Sequence, residues 1–301
     1  MANDRGKTVA ITGMSGLIGT ALAELAAQRG WTVIPMKRDR AADGIYWSVE
    51  DKEIDAEALE EVDAVVHLAG EPLHSGRWTE DKKKAIVESR VQGTTLIAET
   101  IASLDTPPEV LITASGVNFY GHTGDTWVDE ESEHGEGFLA DVCRKWEEAS
   151  RPADQVCRVV NCRMGVVLSK SGGALPKMLT PFRLGVGGKL GKGDQYMSWV
   201  ALRDVVRAML FILDYEGLRG SVNVTAPTPV TNKEFTLALG AALGRPTLLP
   251  VPGPMLKLAL GAELADEILL NGQRVRPKRL LEAGFEFEYE TVDTALEDEV
   301  G

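Results

Sequence analysis

Three glycines set between an apolar run and a helical pattern constrain this chain more than any other feature: Gly13, Gly16 and Gly19, in the segment GMSGLIG. The run TVAIT begins at Thr8 and ends at these glycines, after which Leu17, Ile18, Ala21, Leu22 and Leu25 recur at helical spacing up to Gly30. Strand, glycine turn and helix in that order form a GxxGxxG fingerprint in the setting a dinucleotide needs. A turn glycine permits positive φ, and the missing side chains let a pyrophosphate approach the helix N-terminal N–H groups and their dipole. Gly19 would let the helix lie close on the sheet. The expected pyrophosphate contacts are Gly13, Ser15, Gly16, Leu17, Ile18 and Gly19.

The remaining pattern agrees with such a fold. WTVIPM (31 to 36), DAVVHLAG (63 to 70), EVLITAS (109 to 115) and VCRVVNCRMGVVL (156 to 168) read as buried strands separated by helical stretches. Alternating strands and helices predict an α/β class, a Rossmann doubly wound parallel sheet covered on both faces. Beyond Ser169, glycines and prolines break the chain into short pieces, and helices recur at 202 to 215 and 231 to 243 before an alternating FEFEY (285 to 289) and an acidic tail helix. The expected division is a dinucleotide-binding domain over 1–168 and a smaller substrate or lid region over 169–301, packed on the first.

A net charge of −13 argues against broad nucleic-acid or anionic-membrane binding, because phosphates are held mainly by clustered Lys and Arg. No run of about 18 apolar residues predicts a membrane span. The N-terminal MANDRGKTVAITG carries neither a signal-peptide core nor a transit pattern, so the expected location is cytoplasmic. Cys143, Cys157 and Cys162 form no CxxC pair, have few histidines to join them, and read as buried thiols in a reducing compartment. The carboxylate-rich block from Asp125 to Glu136 reads as an exposed loop, and no metal site is expected.

Cofactor choice is read at the end of the second strand, where a carboxylate would receive the 2′-hydroxyl of NAD. Here stand Lys37 and Arg38, and a guanidinium forms charge-assisted, bidentate bonds to phosphate. NADP is therefore expected over NAD. From 170 to 207, Lys170, Lys177, Arg183, Lys189, Lys192, Arg203 and Arg207 outnumber the acids, which suits either a phosphorylated or carboxylated small-molecule substrate or a solvated loop face.

With GMSGLIG, HLAG (67 to 70), TASGVNFYG (113 to 121) and Tyr196 with SWV before Asp204, the chain resembles the extended short-chain dehydrogenase/reductases over nearly its whole length. RW (77 and 78), SR (89 and 90), SGGAL, PFRLGVGG, NVTAP (223 to 227) and GQRVRP (272 to 277) are similar to an atypical subgroup of nucleoside-diphosphate-sugar epimerase-like proteins with a small C-terminal domain of unknown function, called cell-division-inhibitor-like in bacteria. The resemblance implies cofactor contacts at Leu68, Ala69 and Gly70 and a nucleotide-linked substrate. It also implies a Tyr and a Lys four residues apart on a helix beside the nicotinamide, the Lys lowering the Tyr pKa for proton exchange. Aligned on Trp146 and Glu147, GFLADVCRKWEEAS puts Leu139 and Cys143 at those two positions. Neither side chain performs that chemistry, and a one-residue shift puts Phe138 and Val142 there, which serve no better.

Three residues remain as candidate catalytic groups. Ser115 stands where the resemblance implies a strand-end hydroxyl, and Tyr120 is a substitute acid or a packed strand-end ring. Arg90 shares a helical face with Ile86, Gly93, Ile97 and Ile101, where a solvated charge is not expected, so it either lines the pocket or snorkels past the sheet edge. Two functions follow. One is an NADP-dependent oxidoreductase or epimerase-like enzyme with a non-standard acid/base group. The other is a catalytically silent cofactor-binding sensor or interaction protein.

Overall fold

Strands built on continuous apolar runs must be covered on both faces, and in this computed structural model, which describes residues 6–73 and 76–300, residues 9–11 of the first strand and 64–66 of a central one are fully buried. Strands β1 (Thr8–Thr12), β2 (Thr32–Lys37), β3 (Ile45–Ser48), β4 (Glu53–Ile54), β5 (Ala64–His67), β6 (Val110–Gly116), β7 (Arg158–Met164) and β8 (Gly220–Val224) form one eight-stranded sheet in the order β8-β7-β6-β5-β1-β2-β3-β4. Neighbours are parallel throughout, except that β4 returns antiparallel on β3. The chain winds from β1 toward β4, then resumes on the other side of β1 at β5. The crevice at that reversal opens beyond the carboxyl ends of β1 and β5, where doubly wound sheets bind ligands.

Alternate residues of each strand feed two cores. Val9 and Ile11 of β1 pack with Val66, Ile112, Val160 and Val222 against helices α1 (Leu17–Gln28) and α4 (Leu202–Asp214). Ala10 points the other way and packs with Val65, Leu111 and Val159 against α2 (Glu80–Ser103). Each fully buried Val, Leu or Ile contributes about 1.5–3 kcal/mol relative to exposure, which is what drives the continuous apolar runs to the centre. A fourth helix, α3 (Phe138–Ala149), is tied to α2 by the Trp146 indole N–H, which donates to Thr94 Oγ1 at 2.9 Å.

Three local patterns differ from the sequence reading. The short β3 and β4 follow β2 although residues 45–54 show no long apolar run; Ile45 and Trp47 are buried beneath the sheet edge. The stretch 156–168 is two strands, because the chain leaves the main sheet at Gly165, where a Cβ would stand 2.5 Å from the Ser198 carbonyl oxygen. Val166–Leu168 instead pairs with Trp199–Ala201. FEFEY buries Phe285 and Phe287, as its alternation suggests, yet pairs with no strand. The N–H groups of Glu288 and Tyr289 donate instead to the two carboxylate oxygens of Asp204, 2.9 Å each.

Residues beyond 168 are thus woven back into the sheet, supplying β8 and α4, while the last segment is clasped by a fully buried carboxylate. No helix among the described residues is long and apolar enough to cross a membrane. Replacing Asp204 with Ala would strand two backbone donors and take from Arg207 the nearer of its two acidic partners, Asp204 Oδ1 at 2.6 Å. The expected outcome is a loss of about 2–4 kcal/mol in urea unfolding with the strand content retained by circular dichroism.

Candidate functional site

The glycine segment closes the carboxyl end of β1 as a turn with Gly13 at φ 67°. A Cβ there would stand 3.0 Å from the Ala69 nitrogen, so the turn after β1 and the turn after β5 lie almost in contact, and only a glycine fits between them. Gly16 occupies the N-cap of α1 with no side chain capping it, and the helix has no acid in its first turn. Its N-terminal N–H groups and dipole are therefore left for an outside anion, which suits a pyrophosphate. Gly19 packs more tightly than its neighbours: a Cβ there would overlap the Gly13 carbonyl oxygen and stand 2.6 Å from the Met14 Cα. The glycine spacing therefore seats the helix on its own turn. Leu17 turns its side chain toward the backbone of Gly172 and Gly173, where added methyls would meet it at 3.4 and 3.3 Å, so the SGG loop lies beside the same turn.

At the end of β2, Arg40 is engaged by Glu53 and lies 3.9 Å over the Tyr46 ring. Lys37 and Arg38, both exposed, have no acidic partner among the described residues. Two cations stand unneutralised beside the crevice, in a chain of net charge −13, while their neighbour is paired. Across the crevice, Leu68, Ala69 and Gly70 follow β5, and Arg90 supports that turn from below. Its Nη1 donates to the carbonyls of Glu71 (3.0 Å) and Ile86 (3.2 Å), its guanidinium lies 4.9 Å over the Trp146 ring, and a Cβ at Gly70 would meet its Cζ at 3.6 Å. Burial pushes the Arg90 pKa down from its ordinary value. Arg90 thus bonds the carbonyl of Glu71, just after HLAG, and that of Ile86 on its own helix.

The carboxyl ends of β6, β7 and β8 carry a buried polar network. Arg163 on β7 forms a two-bonded pair with Glu147 on α3, Nε to Oε1 at 2.7 Å and Nη2 to Oε2 at 2.8 Å. The Ser115 hydroxyl donates to Glu147 Oε1 at 2.8 Å and Ser221 Oγ to Oε2 at 2.9 Å. Arg163 Nη1 donates to the Tyr120 oxygen at 2.9 Å, and that phenol donates to Asn223 Oδ1 at 2.8 Å. The guanidinium also lies 3.4 Å over the Phe119 ring. Tyr120 is 4% exposed, and burial pushes its pKa up to about 12. Ser115 and Tyr120 are therefore brought into one network, and each donates its hydroxyl proton within it. Arg90 is not part of it.

Gly116, one residue past Ser115, faces the next helix instead: a Cβ there would meet Cys143 Sγ at 3.6 Å. Leu139 and Cys143 are both buried on the inner face of α3. The helix N-terminus is closed by Glu267 from the C-terminal region, whose carboxylate accepts from the N–H groups of Phe138 (3.1 Å) and Leu139 (3.2 Å). Glu147, Arg163 and Glu267 were not expected as site residues. Strand alternation could have paired Arg163 with Ser115, which are register partners on β7 and β6, but nothing local marks Glu267. Of the basic residues from 170 to 207, Arg203 and Arg207 are neutralised by Glu288 and Asp204. A surface cleft of about 560 Å³ lined by Trp127, Val128, Asp129, Pro227, Arg276 and Leu281 shares no residue with the crevice. The described residues hold no cluster of metal-ligating side chains.

Comparison with known proteins covers both parts of the chain. A model of the NAD dependent epimerase/dehydratase family matches residues 9–225, and one of a domain of unknown function (DUF1731) matches 251–299. Epimerase family protein MT2273 of Mycobacterium tuberculosis is 45% identical over 96% of this chain and 96% of its own length. Epimerase family protein SDR39U1 of Homo sapiens is 36% identical over 96% of this chain and 98% of its own. A crystal structure of human SDR39U1 (isoform2) with NADPH superposes with a TM-score of 0.90 at 34% identity, covering 97% of this chain and 99% of that one. The nucleoside-diphosphate sugar epimerase from Corynebacterium glutamicum gives 0.81 at 36% identity, covering 99% of this chain and 59% of that one.

Two outcomes are expected from this geometry. Gly19→Ala forces a methyl into backbone and should cost roughly 1–3 kcal/mol in urea unfolding, more than Gly16→Ala, whose Cβ meets only the Gly13 oxygen at 3.2 Å. Burial also pushes the thiols of Cys143 and Cys157 up to about 11 and that of Cys162 to about 12. At pH 8 all three should resist a thiol-specific disulfide reagent in the folded chain and react fully in denaturant. Rapid native labelling at Cys143 would show a reactive thiol instead.

Proposed function

The chain belongs to the NAD-dependent epimerase/dehydratase family, and from that premise we propose that it binds NADP(H) in the crevice between β1 and β5, with Lys37 and Arg38 receiving the 2′-phosphate. The observation that carries the reading is the pair of unneutralised cations at the end of β2, beside a glycine turn whose helix N-terminus lacks any cap. The human relative crystallised with NADPH supports the same choice. In this reading Gly13, Ser15, Gly16, Leu17, Ile18 and Gly19 face the pyrophosphate, and Leu68, Ala69 and Gly70 border the adjoining ribose.

When bound, the nicotinamide supplies or accepts a hydride. This chain's own groups then differ from the Tyr-and-Lys arrangement: Leu139 and Cys143 stand in those positions, and the thiol's raised pKa keeps it protonated at neutral pH. Ser115 and Tyr120 hold the wall through Glu147, Arg163 and Asn223, and Arg90 holds the turn after β5. Any substrate is a small molecule, phosphorylated or nucleotide-linked in keeping with the family, whose proton transfer does not pass through a phenol–ammonium pair. A second reading, a cofactor-binding protein without turnover, is favoured by the same commitments: Ser115 and Tyr120 donate their protons inside the frame, and Arg90 Nη1 is bonded to backbone carbonyls.

Fluorescence titration with NADPH and NADH tests the proposal. NADPH should bind more tightly, and Arg38→Ala should weaken NADPH by about 1.5–3 kcal/mol while leaving NADH nearly unchanged. Tighter binding of NADH, or equal losses for both cofactors, would remove the assigned role of Lys37 and Arg38.

A further inference from the structure

Beneath the crevice the two turns that form it are joined by one hydroxyl. Thr12, the last residue of β1, is fully buried, and its Oγ1 accepts from the N–H of Leu68 at 3.1 Å and of Ala69 at 3.3 Å. The same oxygen lies 2.7 Å from Nδ1 of His67, the last residue of β5, also fully buried. A hydroxyl oxygen has two lone pairs and one proton. With both lone pairs directed to backbone donors, the proton lies toward His67, whose Nδ1 must then accept it. The ring proton is left on Nε2. Among the described residues Nε2 has no hydrogen-bond partner; it faces Gly93, where a Cβ would stand 3.4 Å away, and the ring packs edge-on to Trp47 at 5.6 Å. Burial pushes the His67 pKa down to about 4, in keeping with a ring that stays neutral.

We propose that Thr12 and His67 are positioning residues for the cofactor: His67, fixed as the Nε2–H tautomer, accepts the hydrogen bond of the Thr12 hydroxyl so that both lone pairs of that oxygen hold the Leu68–Ala69 turn against Gly13. This rests on the cofactor reading above and adds the device that sets the width of the crevice. Without the hydroxyl, two backbone donors of the turn lose their acceptor, and the turn is free to shift toward or away from Gly13, where an added Cβ would stand 3.0 Å from the Ala69 nitrogen. A charged imidazolium would hold a proton on Nδ1 and compete for the same oxygen.

The test combines tautomer and affinity. Long-range proton–nitrogen correlation NMR on the histidine-labelled chain without cofactor, with His67 assigned by its loss in His67→Phe, should show a neutral Nε2–H ring between pH 5 and 8. Thr12→Val should weaken NADPH binding roughly tenfold to a hundredfold, and Thr12→Ser should restore it to within about threefold. Thr236→Val is the control, since it removes another buried hydroxyl, on the helix Asn232–Ala242 that carries none of the crevice residues, and should leave NADPH affinity unchanged. An Nδ1–H or charged ring, unchanged affinity in folded Thr12→Val, or failure of Thr12→Ser to rescue overturns the proposal. A native chain that binds no NADPH overturns instead the cofactor reading on which it rests, an outcome the tautomer measurement keeps separate.

Discussion

The buried pair of Arg163 and Glu147 governs the carboxyl end of the sheet. Removing a guanidinium and a carboxylate from water costs several kcal/mol per ion, which their attraction offsets only when the remaining donors and acceptors are also bonded. Glu147 therefore takes two hydroxyls besides the guanidinium, and Arg163 reaches the Tyr120 oxygen and the Phe119 face. The requirement extends through Tyr120 to Asn223, whose backbone N–H donates to the buried Glu130 and whose amide donates to the Arg276 carbonyl. One ion pair thereby sets the side-chain directions on β6, β7, β8 and the C-terminal segment together.

That dependence decides which parts of the site could be read from the sequence. The glycine turn, the strands about β1, β5 and β6, and the inward face of α2 follow from local rules: backbone sterics at Gly13, and periods of two and of 3.6 residues. Arg90 was legible for the same reason, a charge on an apolar helical face. Ser115 was legible as a strand-end hydroxyl, but its commitment was not, because the acceptor lies 32 residues away on another element. The clasp of FEFEY by Asp204 spans more than 80 residues, and Glu267 reaches the N-terminus of α3 across nearly 130. Such partners are chosen by the assembled surface, and the local sequence carries no periodicity that names them.

The break of 156–168 at Gly165 teaches a related point. A continuous apolar run is compatible with one long buried strand or with two strands buried in different places, since both hide every side chain. What separates them is the close approach of Ser198 to Gly165, a contact between elements that leaves only the glycine itself as a trace. β3 and β4 escaped for the opposite reason. They are short and half polar, and become strands because the edge of β2 offers unpaired backbone groups, while Ile45 and Trp47 cover the apolar sheet beside it.

Cofactor binding and proton transfer are separable in this fold because different elements carry them. The glycine turn, the cations of β2 and the Leu68–Gly70 turn, which the proposed reading gives to the cofactor, belong to β1, β2 and β5, and the two turns meet through glycine sterics and the Thr12 hydroxyl. The Tyr and Lys positions belong to α3, which packs on α2 through Trp146 and is braced at its N-terminus by Glu267. Leu139 and Cys143, at the positions where the resemblance implies a Tyr and a Lys, carry no charge to desolvate on the inner face of α3 and touch no group at the glycine turn. A dinucleotide crevice on this fold therefore does not depend on a phenol or an ammonium on α3. Lys37 and Arg38, to which the proposed reading assigns the choice of cofactor, touch neither α3 nor the Arg163 network.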